Sequence, residues 1–128
     1  MAKLSKFELD PQASLEGKWF DIVLGDNYFQ VKLARFRNSE FQAELDDMLI
    51  KGKSGENAGT ELYVNHIIRD VKGLEGEDGK ELKFSKELAR RFMTDEKLEH
   101  IKFQILDHCS NFNNFLADEQ ERQAALKN

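Results

Sequence analysis

One proline and one cysteine are all that this sequence of 128 residues holds of either, and both scarcities narrow the reading. Pro11 stands near the start, so no later segment is barred from regular structure by proline, and a helix-rich chain is expected. Cys109 has no second thiol to pair with, which makes a reducing compartment the simpler expectation. Long apolar runs are missing too. No segment approaches the ~20 apolar residues of a membrane-spanning helix, and the opening MAKLSKFELDPQ lacks the apolar stretch of a signal peptide. Nor is there a basic surplus: 19 Lys and Arg stand against 24 Asp and Glu, for a net charge of −5. The bases (Lys32, Arg35, Arg37; Lys86, Arg90, Arg91) are scattered among acids. Nucleic-acid binding draws most of its affinity from concentrated positive charge on phosphate, so it is not expected. The expectation is a cytoplasmic protein with neither nucleic acid nor membrane as a partner.

What the chain does contain suits one soluble domain with a real core: 40% hydrophobic and 34% charged residues. Residues 1–16 are polar with isolated Leu4, Phe7 and Leu9, and Asp10-Pro11 reads as a helix breaker; this predicts an extended arm from which Phe7 and Leu9 dock. From residue 17 a single domain is expected to run to 128. Residues 17–37 alternate with period two on both sides of Gly25-Asp26-Asn27, the pattern of a β-hairpin. Phe20, Ile22, Leu24, Phe29, Val31 and Leu33 form its expected buried face. A lone hairpin is marginal in water, so helices from residues 38–118 must cover it.

Ser39, with Gln42 three residues on, fits a capping box at the start of a helix carrying Phe41, Leu45, Met48 and Leu49, with Glu44, Asp46 and Asp47 facing away. The stretch Gly52 to Gly59 reads as a mobile loop. A second helix is predicted from about Thr60 to Lys72 on a stripe of Tyr63, Ile67 and Val71, stopped by Gly73. Gly73 to Gly79 is a solvated acidic turn, Leu82 and Phe84 mark a short extended piece, and Ser85 caps a short helix through Leu88 and Phe92. The last and longest helix is expected from about Asp95 to beyond Leu116, on Leu98, Ile101, Ile105, Cys109, Phe112 and Leu116, with a polar tail at 119–128. The fold class is therefore α+β and mainly α: an N-terminal β-hairpin packed by about four helices.

No constellation points to catalysis. Gly73, Gly76 and Gly79 space out like a phosphate-cradling loop, yet Glu75, Glu77 and Asp78 would repel the anion. Read as a calcium loop from Asp70, the same segment puts Lys72 and Leu74 at ligand positions; read from Glu75, it puts Lys80 where glycine is needed. Cys109 continues an apolar stripe, and its neighbour His108 projects about 100° away around the helix. The three histidines and one cysteine lack the paired spacing of zinc ligands. No enzyme, cofactor or metal is expected. Two features remain as candidate partner-binding sites. Glu75, Glu77 and Asp78 either serve solubility or, with Glu44, Asp46 and Asp47, steer a basic partner. Phe112, Phe115 and Leu116 either cover the hairpin or form an exposed patch.

Some residues also carry a likeness. Gly17-Lys18-Trp19 and the segment Tyr28 to Arg37 come first. Val71-Lys72-Gly73, Asp78-Gly79-Lys80, Leu82, Phe84-Ser85 and Glu87 follow, and Asn111 to Phe115 (NFNNF) closes the set. Over roughly residues 15–118 the chain resembles the tail assembly chaperones of long-tailed bacteriophages, with Val71 where that family often has tryptophan. The resemblance implies a non-enzymatic protein of the host bacterial cytoplasm, absent from the finished virion. It would bind the tape measure protein, keep it soluble and help recruit tail tube protein. Spare aromatic surface and repeated binding along a long client favour a homo-oligomer. The resemblance also implies a longer frameshifted form, for which Leu126-Lys127-Asn128 is a compatible position. The alternative is a structural subunit of the phage tail or head–tail joint.

Overall fold

Strand β1 (Lys18–Leu24) and strand β2 (Asn27–Leu33) form the expected hairpin, closed by the two-residue turn Gly25-Asp26. Gly25 takes φ 62°, the positive φ that a type II′ turn requires at its first central position. The computed structural model describes residues 1–52 and 55–117; the tail predicted at 119–128, and residues 53 and 54 of the predicted loop, lie outside the described residues. Around the hairpin stand helix α1 (Pro11–Glu16), α2 (Ser39–Lys51), α3 (Ala58–His66), α4 (Lys86–Thr94) and α5 (Glu99–Ser110). Strand β3 (Ile68–Lys72) follows α3 and adds to β2, giving an antiparallel sheet of order β1-β2-β3. The fold is thus a mixed one in which helices predominate over a small sheet.

Strand β3 corrects the predicted helix over 60–72, which stops at His66. Ile67, Ile68 and Val71 match a helical stripe, but they also suit a strand, and β2 offers an unpaired edge. Val31 pairs with Val71 and Leu33 with Ile68, so the same apolar residues are buried in the sheet instead.

The start of the chain corrects a second expectation. Pro11 opens α1 rather than breaking a helix: it is the first helical residue, where its missing N–H costs nothing. The Asp10 carboxylate caps it, accepting from the backbone N–H groups of Gln12 (2.9 Å) and Ala13 (3.2 Å). The segment is pinned to the body. Leu9 bridges Leu116, the Asp10 N–H donates to the Phe115 carbonyl (2.7 Å), and the Arg69 guanidinium donates twice to the Leu15 carbonyl (3.1 and 2.8 Å). Leu9 docks as expected; Phe7 does not, at 67% exposed.

One face of the sheet supplies Ile22, Phe29, Val31, Leu33, Ile68 and Val71 to the core, where they meet Phe41 of α2, Leu62 and Val64 of α3, Phe92 of α4, and Ile101, Ile105 and Cys109 of α5. Phe36, Phe41 and Tyr63 make an aromatic cluster that locks α2 to α3, with ring centroids 5.4 to 6.1 Å apart. The cap of α2 is Asn38, not Ser39. Buried at 1% exposure, its side chain accepts from the N–H groups of Glu40 and Phe41 and donates to the carbonyls of Arg35 and His66. Asn38→Ala removes all four bonds and orphans buried backbone groups, so urea denaturation should show a loss of roughly 2–4 kcal/mol.

The helix predicted from about Asp95 to beyond Leu116 is also shorter than expected. At 12 residues α5 falls below the 13 of α2, because Asn111 ends it and caps a 3-10 turn, Phe112–Phe115. The Asn114 amide donates to the His108 carbonyl (2.9 Å), satisfying one of the groups that the helix end leaves open.

Candidate docking surface

The helices leave the hairpin tip partly uncovered. By register Leu24 belongs to the inward face with Phe20 and Ile22, and the sequence places it in the core; the structure leaves it 60% exposed at the hairpin tip, where α5 brings His100 beside the cleft without covering it. Between that tip, the chain leaving β3 and the first turn of α5 lies a cleft of about 340 Å³. Its walls are Ile22, Leu24, Asn27, Tyr28, Phe29, Gly73, Leu74, Glu75 and His100. The floor is apolar, and Tyr28 is 70% exposed at its border.

The rim comes from the glycine-rich turn. Residues 74–82 fold back on themselves: Leu82 donates to the Leu74 carbonyl (2.7 Å), Glu75 bridges Glu81, and Gly76 donates to the Lys80 carbonyl (2.9 Å). Leu74, Leu82 and Phe84 are half-buried, and the first and last of these pack on the core. Glu75, Glu77 and Asp78 are exposed, and of the three Glu75 lines the cleft while the other two follow on the same turn. Over residues 73–82 four carboxylates face one ammonium, that of Lys80.

Phe112, Phe115 and Leu116, the second candidate set, do not share one exposed face. Phe115 is wholly buried, its ring 6.0 Å from Phe20, and it is not available to a partner. Leu116 is half-buried in its bridge to Leu9, and only Phe112 is exposed, at 52%, with the Arg35 guanidinium 5.3 Å from its ring. These residues sit near Phe20 and Lys18, whereas Glu75 lines the cleft at Leu24, the other end of β1. The two candidate sets therefore do not converge. Leu24, Tyr28, Leu74 and His100 were missed; the signal available for them was an apolar alternation running right up to the turn.

Both outer strands have polar groups at their edges. The Gln104 side chain of α5 pairs with Val23 like a neighbouring strand, accepting from its N–H (2.9 Å) and donating to its carbonyl (3.1 Å). His108 Nε2 donates to the Asp21 carbonyl (3.1 Å) while its ring stacks on Phe20 at 4.8 Å. On β3, the Asp70 carboxylate accepts from the Val71 N–H (2.8 Å). An edge whose backbone groups are occupied is a poor template for stray strand pairing.

The groups that chemistry would need are placed for structure. Burial pushes the Cys109 thiol up to about 12, so it stays protonated and inert as a nucleophile. Tyr63 is likewise raised to about 12 by burial. His66 pairs with Glu44, tying α3 to α2; Glu44 does not face away as predicted. Among the described residues no three His, Cys, Asp or Glu side chains group to hold a metal ion, and no helix is long and apolar enough to cross a membrane.

A two-pronged ion pair joins α4 to α3, Arg90 donating from Nε and Nη2 to the two oxygens of Glu61, each at 2.8 Å. The Arg90 hydrogen bonds hold the Glu61 carboxyl below the usual carboxylate range. Asp95 is lowered in the same sense, first by the Lys97 N–H and then by Arg91. A carboxyl whose folded pKa is depressed adds stability above its unfolded pKa and loses it as pH falls through the folded value. Urea midpoints measured from neutral pH to about pH 3 should therefore fall less steeply for Glu61→Gln than for the parent chain.

Compared with known proteins, residues 24–128 match the model of a family described as YdaY prophage protein. No curated protein and no solved structure matches the chain.

Proposed function

This chain belongs to the YdaY prophage protein family, and on that premise we propose that it is a phage tail assembly chaperone. It works without catalysis in the host bacterial cytoplasm. There it binds the tape measure protein, keeps it soluble and helps recruit tail tube protein. The observation that carries the reading is the apolar cleft with its carboxylate rim. A basic amphipathic segment of a long client would lay an apolar side chain against Leu24, Tyr28 and Leu74 and set its cations beside Glu75, Glu77 and Asp78. Carboxylates at the rim speed encounter and the apolar floor holds the client, a division suited to transient binding.

The residues of the family likeness support the surface from behind. Val71 and Lys72 end β3 and lead to the cleft, Phe84 packs on the core, and the Ser85 hydroxyl caps α4 by accepting from the Leu88 N–H (3.0 Å). The test is co-expression with the tape measure protein of the same gene cluster. A soluble, co-eluting client that is lost on charge reversal at Glu75, Glu77 and Asp78 supports the role. An insoluble, unbound client, with this chain present in purified virions at fixed copy number, overturns it in favour of a structural tail subunit.

A further inference from the structure

The first residues of the chain present an apolar pair that the body does not cover. Leu4–Phe7 forms a single 3-10 turn with no buried residue; Leu4 is 82% exposed and Phe7 67%. Residues three apart eclipse on such a turn, so the two side chains stand on the same side. Lys3 precedes them and Lys6 lies between them, and residues 1–7 contain no acid, so the segment is positive overall. Across the molecule lies the complementary surface: the apolar cleft of Ile22, Leu24, Phe29 and Leu74, bordered by the turn that carries Glu75, Glu77 and Asp78. We propose that this cleft receives the Leu4–Phe7 turn of a second copy of the chain.

Within one copy, Phe7 of the turn does not reach. Its root is held at the far end of β1, where Leu9 bridges Leu116 and Ala117 donates to the Glu8 carbonyl (2.9 Å) beside Phe115. Phe115 packs on Phe20, and from Phe20 to Leu24 the strand advances roughly 13 Å. Phe7 is two residues from the anchored Leu9, a span of at most about 7 Å. A second copy has no such tether. Because turn and cleft are different surfaces, the contact is head-to-tail, and each added copy leaves one free turn and one free cleft. The charges on either side make it weaken with salt. The cleft is the one assigned above to a client, which would have to displace the copy's turn, but the test uses this chain alone and so reads self-association apart from the client reading.

Sedimentation velocity of the full chain over rising concentration, at low and at physiological salt, reads the association directly. The parent chain should grow beyond a dimer as concentration rises, and less so with added salt. Two variants at exposed positions break one surface each: Leu4→Asp with Phe7→Asp, and Leu24→Lys with Glu75→Lys. Each alone should stay monomeric where the parent chain associates. Mixed, they should form a dimer and stop there, because one intact turn then meets one intact cleft. A parent chain that stays monomeric throughout overturns the proposal, as it would if the turn folded onto its own cleft or if only a foreign partner used the site. Variants that associate alone, or a mixture that stays monomeric, overturn it equally.

Discussion

Gly17→Ala should lower stability by roughly 3 kcal/mol and the melting temperature by about 10 °C, a large effect for one methyl group. Gly17 links α1 to β1 at φ 97° and ψ 169°, a region that residues with a side chain essentially do not occupy. A Cβ built there would lie 2.9 Å from both the carbonyl carbon and oxygen of Leu33 and 3.1 Å from the Ala34 nitrogen. That backbone has nowhere to go. The Ala34 N–H donates to the Ile67 carbonyl (2.8 Å), and Leu33 and Ala34 are completely buried. Thermal and urea unfolding of the alanine variant check this, and a change below about 0.5 kcal/mol would mean the close approach is not held as described.

Phe115→Ala should cost roughly 3–5 kcal/mol, while Phe112→Ala, three residues away, should cost less than about 1 kcal/mol. Phe115 is fully buried against Phe20 and anchors the bridge that holds the N-terminal segment, so truncation opens a cavity and loosens that segment together. Phe112 is half in solvent and loses chiefly its contact with Arg35. If the 3-10 turn were a docking patch, both truncations would leave stability nearly untouched. Paired chemical denaturation curves separate the two cases.

The hairpin was legible because its signal is local: alternation on both sides of a glycine turn predicts two paired strands and one buried face, although the turn is Gly25-Asp26 and Asn27 already pairs with Leu24. Ser85 was legible for the same reason, since a cap acts within one turn. Strand β3 was not. Its residues satisfy helical and extended patterns alike, and the choice is made by the edge of β2, which no local window contains. Pro11 misled in a different way, because a proline that ends one segment is well placed to begin the next. The predicted long C-terminal helix kept its apolar period through Phe112 and Leu116, yet Asn111, Asn113 and Asn114 favour caps and turns over helix.

The candidate site divided similarly. Glu75, Glu77 and Asp78 were legible as an exposed acidic turn, since glycine and charge leave it no route into a core. That the turn borders an apolar cleft depends on how the helices pack around the hairpin tip. Leu24 looks in sequence like any other inward residue; only the tertiary packing, which leaves a cleft between it, Leu74 and His100, turns it from core into surface.

If this cleft and its acidic turn form the client-binding surface, titrating an isotope-labelled chain with basic amphipathic segments of the tape measure protein will show it in the backbone amide resonances. Saturable shifts are expected at Leu24, Tyr28, Leu74, Glu75 and His100, reduced when Glu75, Glu77 and Asp78 are reversed in charge. Shifts centred instead on Phe112 and α4, or none at concentrations where the client stays soluble, would contradict it.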